Sequence, residues 1–340
     1  MKILLIQLKR IGDLILTTPA IVAVREKFPD AEITLVISRE SKALAPAIAG
    51  VNKLLVARRG FSGLTTVAAI AGDKFDYCVD FTRNDRSAFL VLLSRAKKRI
   101  VSFRIKVRSK FRTRFYNEFV EHQMRDMHVI DYHLALLAPL GISNASRAIR
   151  LELPKSARER ADELLIANSI QKDFVVFHPG SARAEKFWES QRWADVINHT
   201  ANHHDVDLVL TGGSSPLEQT QIAAIKLQMG HRIVDLSGKT DLLTLAALIG
   251  KARLLVTVDS APLHLASASR TPQVILFGPT NPFHWRPQES AALILQGEST
   301  SPLTQFVPKQ PRFPMNQIST QAVIDAIENL LSAPAAPPNS

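Results

Sequence analysis

Leu254-Leu255-Val256-Thr257-Val258-Asp259-Ser260-Ala261-Pro262-Leu263-His264 is the stretch on which the reading of the fold turns. Its first five residues form a short apolar and β-branched run, the pattern of a strand buried on both faces of a parallel sheet. Asp259 and Ser260 supply N-cap chemistry, and Pro262 falls in the first helical turn, where a missing N–H is tolerated. His264 rides on the helix that follows. A helix opening at the carboxyl end of a parallel strand turns unpaired N–H groups and a positive dipole end toward one spot, which suits a phosphate or pyrophosphate. The same residues also satisfy the plainer description of an ordinary capped helix in an α/β sheet.

Outward from this stretch the chain alternates. In the first half, strands are expected at Lys2–Leu8, Ile33–Ile37, Lys53–Ala57, Tyr77–Phe81 and Arg99–Phe103. Helices are expected over Leu14–Phe28, Ser41–Ile48, Ser62–Ile70, Ala88–Ser94 and Met127–Leu140. A second series begins at Phe174–Phe177 and runs through strands at Asp207–Thr211, Arg232–Asp235 and Gln273–Phe277. Its helices are expected at Ser190–His203, Pro216–Met229 and Leu242–Ile249. The βαβα order predicts two doubly wound parallel sheets in tandem, with the cleft between them as the natural ligand site. The predicted domains are 1–150 and 174–318, with a crossing segment over 151–173 and a last amphipathic helix near Thr320–Leu331. The Pro-rich tail from Ala333 to Ser340 reads as disordered.

Composition narrows the function. The 340 residues carry a net charge of +11, and ten basic residues with no acidic one fall between Arg95 and Arg114, leaving 32 basic against 31 acidic residues elsewhere. The excess is one local patch, which predicts an anionic partner at one place: phosphorylated lipid, an anionic membrane surface or nucleic acid. No helix-turn-helix or RNP-like aromatic pattern accompanies it, which argues against nucleic acid. There is no apolar run long enough to span a membrane, and the short N-terminal apolar stretch meets Lys9, Arg10 and Asp13 too early for a signal peptide. With a single cysteine, Cys78, in an apparent buried strand, these features predict a cytoplasmic protein.

Only 14 glycines occur, and neither G-x-G-x-x-G nor G-x-x-x-x-G-K-[ST] is present, so neither a Rossmann dehydrogenase nor a P-loop nucleotidase is indicated. No Cys/His spacing suits zinc. Asp205 and Asp207 resemble a metal pair, but Asp207 leads into a strand. Asp13 sits between a strand end and a helix start, where it reads as either a helix cap or a general base. Lys186 reads either as a solvated loop lysine or as a phosphate contact. Trp188 and Trp193 read as packing residues.

Several separated blocks resemble one family. Arg10-Ile11-Gly12-Asp13 with Thr17-Thr18-Pro19 is similar to the opening of the ADP-heptose:lipopolysaccharide heptosyltransferases, glycosyltransferase family nine. His178-Pro179-Gly180-Ser181 with Lys186-Phe187-Trp188 and Arg192-Trp193 resembles its second block. Thr211-Gly212-Gly213, Asp259 to His264, and Phe277-Gly278-Pro279-Thr280-Asn281-Pro282 complete the likeness, which runs from residue 1 to about 330. One departure is Ala261-Pro262, where many relatives carry glycine after the hydroxyl residue; a backbone needing positive φ would be strained there.

The resemblance implies a GT-B-like fold: two Rossmann-like domains facing a cleft, the acceptor on the first and the nucleotide-sugar on the second. It implies that the last helix packs back on the first domain. It assigns Asp13 as the general base of an inverting transfer, and Ser181 and Lys186 to the diphosphate. Asp259, Ser260, Ala261 and His264 are placed near diphosphate and sugar, Glu218 at the ribose and Thr240 near adenine. Arg58, Arg59, Arg104, Lys106 and Arg108 are the acceptor candidates. No metal or other cofactor is implied. The expected reaction moves heptose from ADP-heptose to a phosphorylated lipid-linked core oligosaccharide at the inner membrane's cytoplasmic face. The alternatives are a relative using another nucleotide-sugar and a non-catalytic basic protein that binds anionic lipid or nucleic acid.

Overall fold

The computed structural model describes residues 1–58 and 63–332, which fall into two compact units divided between Glu152 and Leu153. Arg59 and the tail 333–340 lie outside the described residues.

The first unit holds β1 (Lys2–Gln7), β2 (Glu32–Ser38), β3 (Lys53–Ala57), β4 (Tyr77–Asp80), β5 (Lys98–Ser102) and β6 (Glu118–Val120). Between and after them come α1 (Ile11–Ile15), α2 (Thr18–Lys27), α3 (Leu64–Ala71), α4 (Asp85–Ser94), α5 (Arg104–Arg108), α6 (Lys110–Thr113) and α7 (Val129–Ala135). The sheet order is β3-β2-β1-β4-β5-β6, parallel throughout, with Ile3 opposite Ile33 on one side and Tyr77 on the other. Ile3–Ile6 and Ile33–Ile37 are almost wholly buried, as expected for strands covered by helices on both faces.

The second unit repeats the scheme. Its strands are β7 (Phe174–His178), β8 (Asp207–Leu210), β9 (Val234–Asp235), β10 (Leu254–Val258), β11 (Gln273–Phe277) and β12 (Ala292–Gln296). Its helices are α8 (Lys155–Ala167), α9 (Ser190–His203), α10 (Pro216–Lys226), α11 (Leu242–Lys251), α12 (Ala261–Ser269), α13 (Pro282–Trp285) and α14 (Thr320–Ser332). The order β12-β11-β10-β7-β8-β9 is that of the first sheet, and every pair is parallel. In each unit the order reverses beside the first strand, between β1 and β4 and between β7 and β10. Ligands of open α/β sheets sit outside the carboxyl ends of strands at such a point.

Several expectations change. The helix expected over Leu14–Phe28 is two helices, because Pro19 has no N–H for Ile15 O and the Thr18 hydroxyl takes that carbonyl instead, at 2.8 Å. The helix expected at Ser41–Ile48 is a 3-10 segment, Lys42–Ala47, with Pro46 inside it. The segment 151–173 is not merely a crossing: α8 packs on α11 of the second unit. The last helix contributes to the second unit's core. Val323, Ile324, Ile327 and Leu331 of α14 enter the second unit's own core with Trp188, Trp193 and Val256, and His199 Nε2 lies 2.8 Å from Glu328 Oε1. Its apolar face is covered within that unit.

Candidate functional site

At the switch point of the first unit, the loop after β1 carries Lys9 and Asp13. Arg10, not Asp13, occupies the N-cap of α1, and Asp13 lies in the first turn. It is 8% exposed, its Oδ1 accepts no hydrogen bond, and Lys9 Nζ stands 3.4 Å away. The backbone beneath it is braced: the Thr17 hydroxyl donates to Asp13 O at 2.7 Å and accepts from Gln7 Nε2 at 2.8 Å. His133 Nδ1 lies 3.2 Å from both Thr17 Oγ1 and Leu16 O, and since the Thr17 proton is already committed, the imidazole proton sits on Nδ1. Burial first, then the nearby Lys9 charge, pushes His133 down to about 3, so the ring is neutral at pH 7.

The neighbouring loop follows β4. Asp80, fully buried, accepts from the backbone N–H groups of Thr82 and Arg83 at 2.8 and 3.1 Å and from the Ser87 and Tyr116 hydroxyls at 2.7 Å each. Burial raises its carboxyl pKa despite these four donors. The Thr82 hydroxyl also accepts from Leu8 N at 2.7 Å, which ties this loop to the Asp13 loop.

In the second unit, β7 ends at His178, whose Nδ1 lies 2.9 Å from the Thr211 hydroxyl at the end of β8. Burial lowers its pKa to about 4. Ser181 is buried, and its hydroxyl accepts from Arg183 N at 3.3 Å. Lys186 Nζ reaches the switch-point loop after β10, donating to Asp259 Oδ2 at 2.5 Å and Asp259 O at 2.7 Å; the two side chains are 11% and 8% exposed. The Thr280 hydroxyl donates to the same carboxylate. Ser260 is the N-cap residue of α12, but its side chain does not cap, and its buried Oγ has no partner. That corrects the capping expectation for Asp259 and Ser260: one carboxylate is taken by Lys186, and Pro262 removes one N–H a cap would bind. Ala261 opens α12 without positive φ, so the alanine is unstrained. His264 is buried on the same helix.

Glu218 stands in the first turn of α10, accepting from Ser215 Oγ at 2.9 Å and Gly213 N at 3.3 Å. Thr240 is half-buried in the turn after β9, and Gly238 N in that turn donates to Gly212 O at 2.9 Å. The structure therefore gathers Ser181, Lys186, Asp259, Ser260 and Glu218 around the carboxyl ends of β7, β8 and β10. Trp188 and Trp193 pack edge-to-face in the core at 5.4 Å. Asp205 and Asp207 serve Lys172: Asp205 pairs with its ammonium, and Asp207 Oδ2 accepts from its backbone N–H.

The acceptor candidates disperse. Arg58 is exposed just beyond β3. Arg104, Lys106 and Arg108 fall on α5, in a segment the sequence left without elements. Lys106 Nζ lies 4.0 Å from the Phe119 ring centroid. Val107 and Phe111 are 78% and 67% exposed among exposed Lys106, Arg108, Lys110 and Arg114. The basic stretch is thus an apolar-and-cationic surface, which charge counting alone did not disclose.

Two tandem parallel sheets of this order give the chain the GT-B fold. The family model described as "Glycosyltransferase family 9 (heptosyltransferase)" matches residues 66–311, and the chain belongs to that family. It is 26% identical to lipopolysaccharide heptosyltransferase 3 of Escherichia coli strain K12, over 97% of this chain and 98% of that protein. It is 24% identical to the lipopolysaccharide core heptosyltransferase OpsX of Haemophilus influenzae, over 83% and 80%. Among solved structures, a family 9 glycosyl transferase from Veillonella parvula superposes with a TM-score of 0.83 at 24% identity, covering 97% of both chains. The E. coli heptosyltransferase WaaC with ADP superposes at 0.73 with 18% identity, over 97% of this chain and all of that one. The chain is an enzyme, and the reading as a non-catalytic basic protein falls away.

Proposed function

We propose that this glycosyltransferase moves heptose from ADP-heptose to a lipid-linked lipopolysaccharide core acceptor with inversion at the anomeric carbon. The observation that carries the reading is Asp13: a nearly buried carboxylate on a braced turn, with one oxygen that accepts no hydrogen bond. An acceptor hydroxyl attacks the anomeric carbon from the face opposite the diphosphate. Its proton passes to Asp13 as the new C–O bond forms, the old C–O bond to phosphate breaks, and the electron pair leaves with ADP. The charge that grows on the diphosphate is met by Lys186 and by the N-terminus of α12, with Ser260 Oγ as a further donor. These groups supply what a divalent ion would, so the reaction is proposed to need none. Glu218 and the Thr240 turn are assigned to the nucleoside.

The α5–α6 surface is assigned to an anionic membrane. Val107 and Phe111 offer apolar contact while Lys106, Arg108, Lys110 and Arg114 face acidic headgroups. Among the described residues no helix is long and apolar enough to cross a membrane. The attachment proposed for this surface is peripheral, on the cytoplasmic face. The test is ADP release with purified core acceptor across a panel of nucleotide-sugars, with and without chelator. Release with ADP-heptose, unchanged by chelator, is the expected result. Release only with another donor, or loss that added metal reverses, would overturn the assignment.

A further inference from the structure

Among the described residues, Arg83 is one of two non-glycine residues in the first unit with positive φ, the other being Arg95. It holds φ at 63°, a left-handed conformation that a branched or long side chain adopts at a cost, and two interactions fix it there. Buried Asp80 accepts from its N–H at 3.1 Å, and Arg112 Nη1 donates to its carbonyl at 3.0 Å. The guanidinium lies over the Tyr132 ring at 4.8 Å, and Nη2 lies 3.6 Å from Met124 Sδ, a weak acceptor. Its Nε is buried without a partner, and among the described residues Arg83 makes no ion pair. Arg104 is within electrostatic reach of Arg83: burial first, then the charges of Arg108, Arg83 and Arg125, lower its pKa, and Asp126 opposes them. Asp126 is itself paired with Arg125 at 3.3 Å. A planar fork, stacked on an aromatic ring and left without an acid, is built to receive two oxygens of a carboxylate or phosphate.

The position has meaning as well. Arg83 follows β4 at the first sheet's switch point, and the Thr82–Leu8 hydrogen bond joins its loop to the one that carries Asp13. We propose that Arg83, stacked on Tyr132 with its Nε unpartnered, is a binding site for an anionic oxygen group of the acceptor, a phosphate monoester or a sugar carboxylate. It would fix the acceptor beside the Asp13 loop. Asp80 and Tyr116 are positioning residues, which act by holding the Arg83 backbone. The inference rests on the proposed transfer for the identity of the ligand, but the anion site stands on Arg83 alone.

The test variant is Arg83→Gly, since glycine accepts φ near 63° and keeps the turn, with Arg83→Lys retaining charge without the fork. First, inorganic phosphate and acetate are titrated into the ¹⁵N-labelled full chain while the Arg83 Nε–H signal, assigned by its loss in Arg83→Gly, is followed. A saturable shift is expected, and a signal that ignores both anions overturns the site whatever the enzyme transfers. Second, transfer kinetics compare intact, phosphatase-treated and carboxyl-esterified acceptor. Arg83→Gly should raise the acceptor KM about tenfold or more and leave the donor KM within twofold, with Arg83→Lys recovering only part. The penalty should vanish on whichever acceptor form has lost the group Arg83 holds, and this tells phosphate from carboxylate. An equal penalty on all three forms, or none on the intact acceptor, overturns the assignment. Absence of wild-type transfer from ADP-heptose would instead count against the proposed reaction, with the titration still deciding the anion site.

Discussion

Lys186→Ala should separate what the Lys186–Asp259 pair does for stability from what it does for the nucleotide. The ammonium donates to Asp259 Oδ2 at 2.5 Å and to Asp259 O at 2.7 Å, with both side chains about nine-tenths buried. Removing the lysine leaves a nearly buried carboxylate with the Thr280 hydroxyl as its remaining side-chain donor. Breaking a fully buried pair from one side costs about 3–5 kcal/mol. With Thr280 retained and some solvent access, the expected loss here is about 2–3 kcal/mol, or roughly 5–10 °C in the melting of the second unit. Asp259→Asn should cost a similar amount, and the double variant Lys186→Met/Asp259→Asn should recover most of it, because no charge is then stranded. On the proposed reading, ADP affinity responds differently. Lys186→Ala loses a charge-assisted contact to the diphosphate and should weaken ADP about 10- to 100-fold, whereas Asp259→Asn removes a repelling charge and should not. Thermal unfolding with and without ADP, together with calorimetric titration, measures both quantities. Equal ADP weakening by the two single variants would show that affinity follows damage to the loop and refute the phosphate role; a wild-type melt for Lys186→Ala would refute the energetic argument.

Asp13→Asn should fold and bind ADP like the wild type but turn over about 10²-fold or more slowly, the usual scale for a lost general base; near-normal turnover in a stable variant would remove it from the mechanism. Reversing Arg104, Lys106 and Arg108 to Glu should weaken binding to anionic vesicles and to acceptor, while Val107→Ser/Phe111→Ser should weaken the vesicles alone. Added salt should loosen the wild type, since screening acts over about 8 Å at physiological ionic strength, and unchanged vesicle binding at low salt would oppose the docking surface. His133 and His178 are held neutral when folded, at about 3 and 4, and bind protons near 6.5 when unfolded. Their stabilisation is complete above the unfolded value and falls with pH by about 1.4 kcal/mol per unit for each, so urea unfolding at pH 5 should lose about 2 kcal/mol per histidine. His178→Asn should flatten that dependence in the second unit's transition, and an unaltered slope would show the imidazole to be hydrated.

The parallel sheets were legible because strands buried on both faces must be nearly all apolar, as at Ile3–Ile6 and Leu254–Val258, and period alone separates them from the amphipathic helices. What escaped depended on partners distant in sequence. β6 pairs only three residues with β5, and α5–α6 are too short and too charged to show a periodicity. The α14 pattern gives an apolar face but does not say which unit receives it. Arg83 offers no motif: the Asn84-to-Ser87 capping box starts α4 just after it, but the left-handed turn is imposed by Asp80, and Asp80 is sustained by Tyr116.

The missing glycine fingerprint shows how the loops after β7 and β8 differ from those of a dinucleotide fold of the same strand order. Glycines there let the backbone approach a pyrophosphate. Here the tight glycines serve a side chain of the chain itself. A Cβ on Gly180 would lie 2.3 Å from Glu218 Oε1, and one on Gly213 2.3 Å from Glu218 Oε2, so the two loops after β7 and β8 close around that carboxylate. The loops are shaped by an internal acid, and on the proposed reading the diphosphate falls to Lys186 and the start of α12. Two glycine positions make room for Glu218, and the proposed positive charge would come from Lys186, a side chain that the neighbouring Asp259 holds in place.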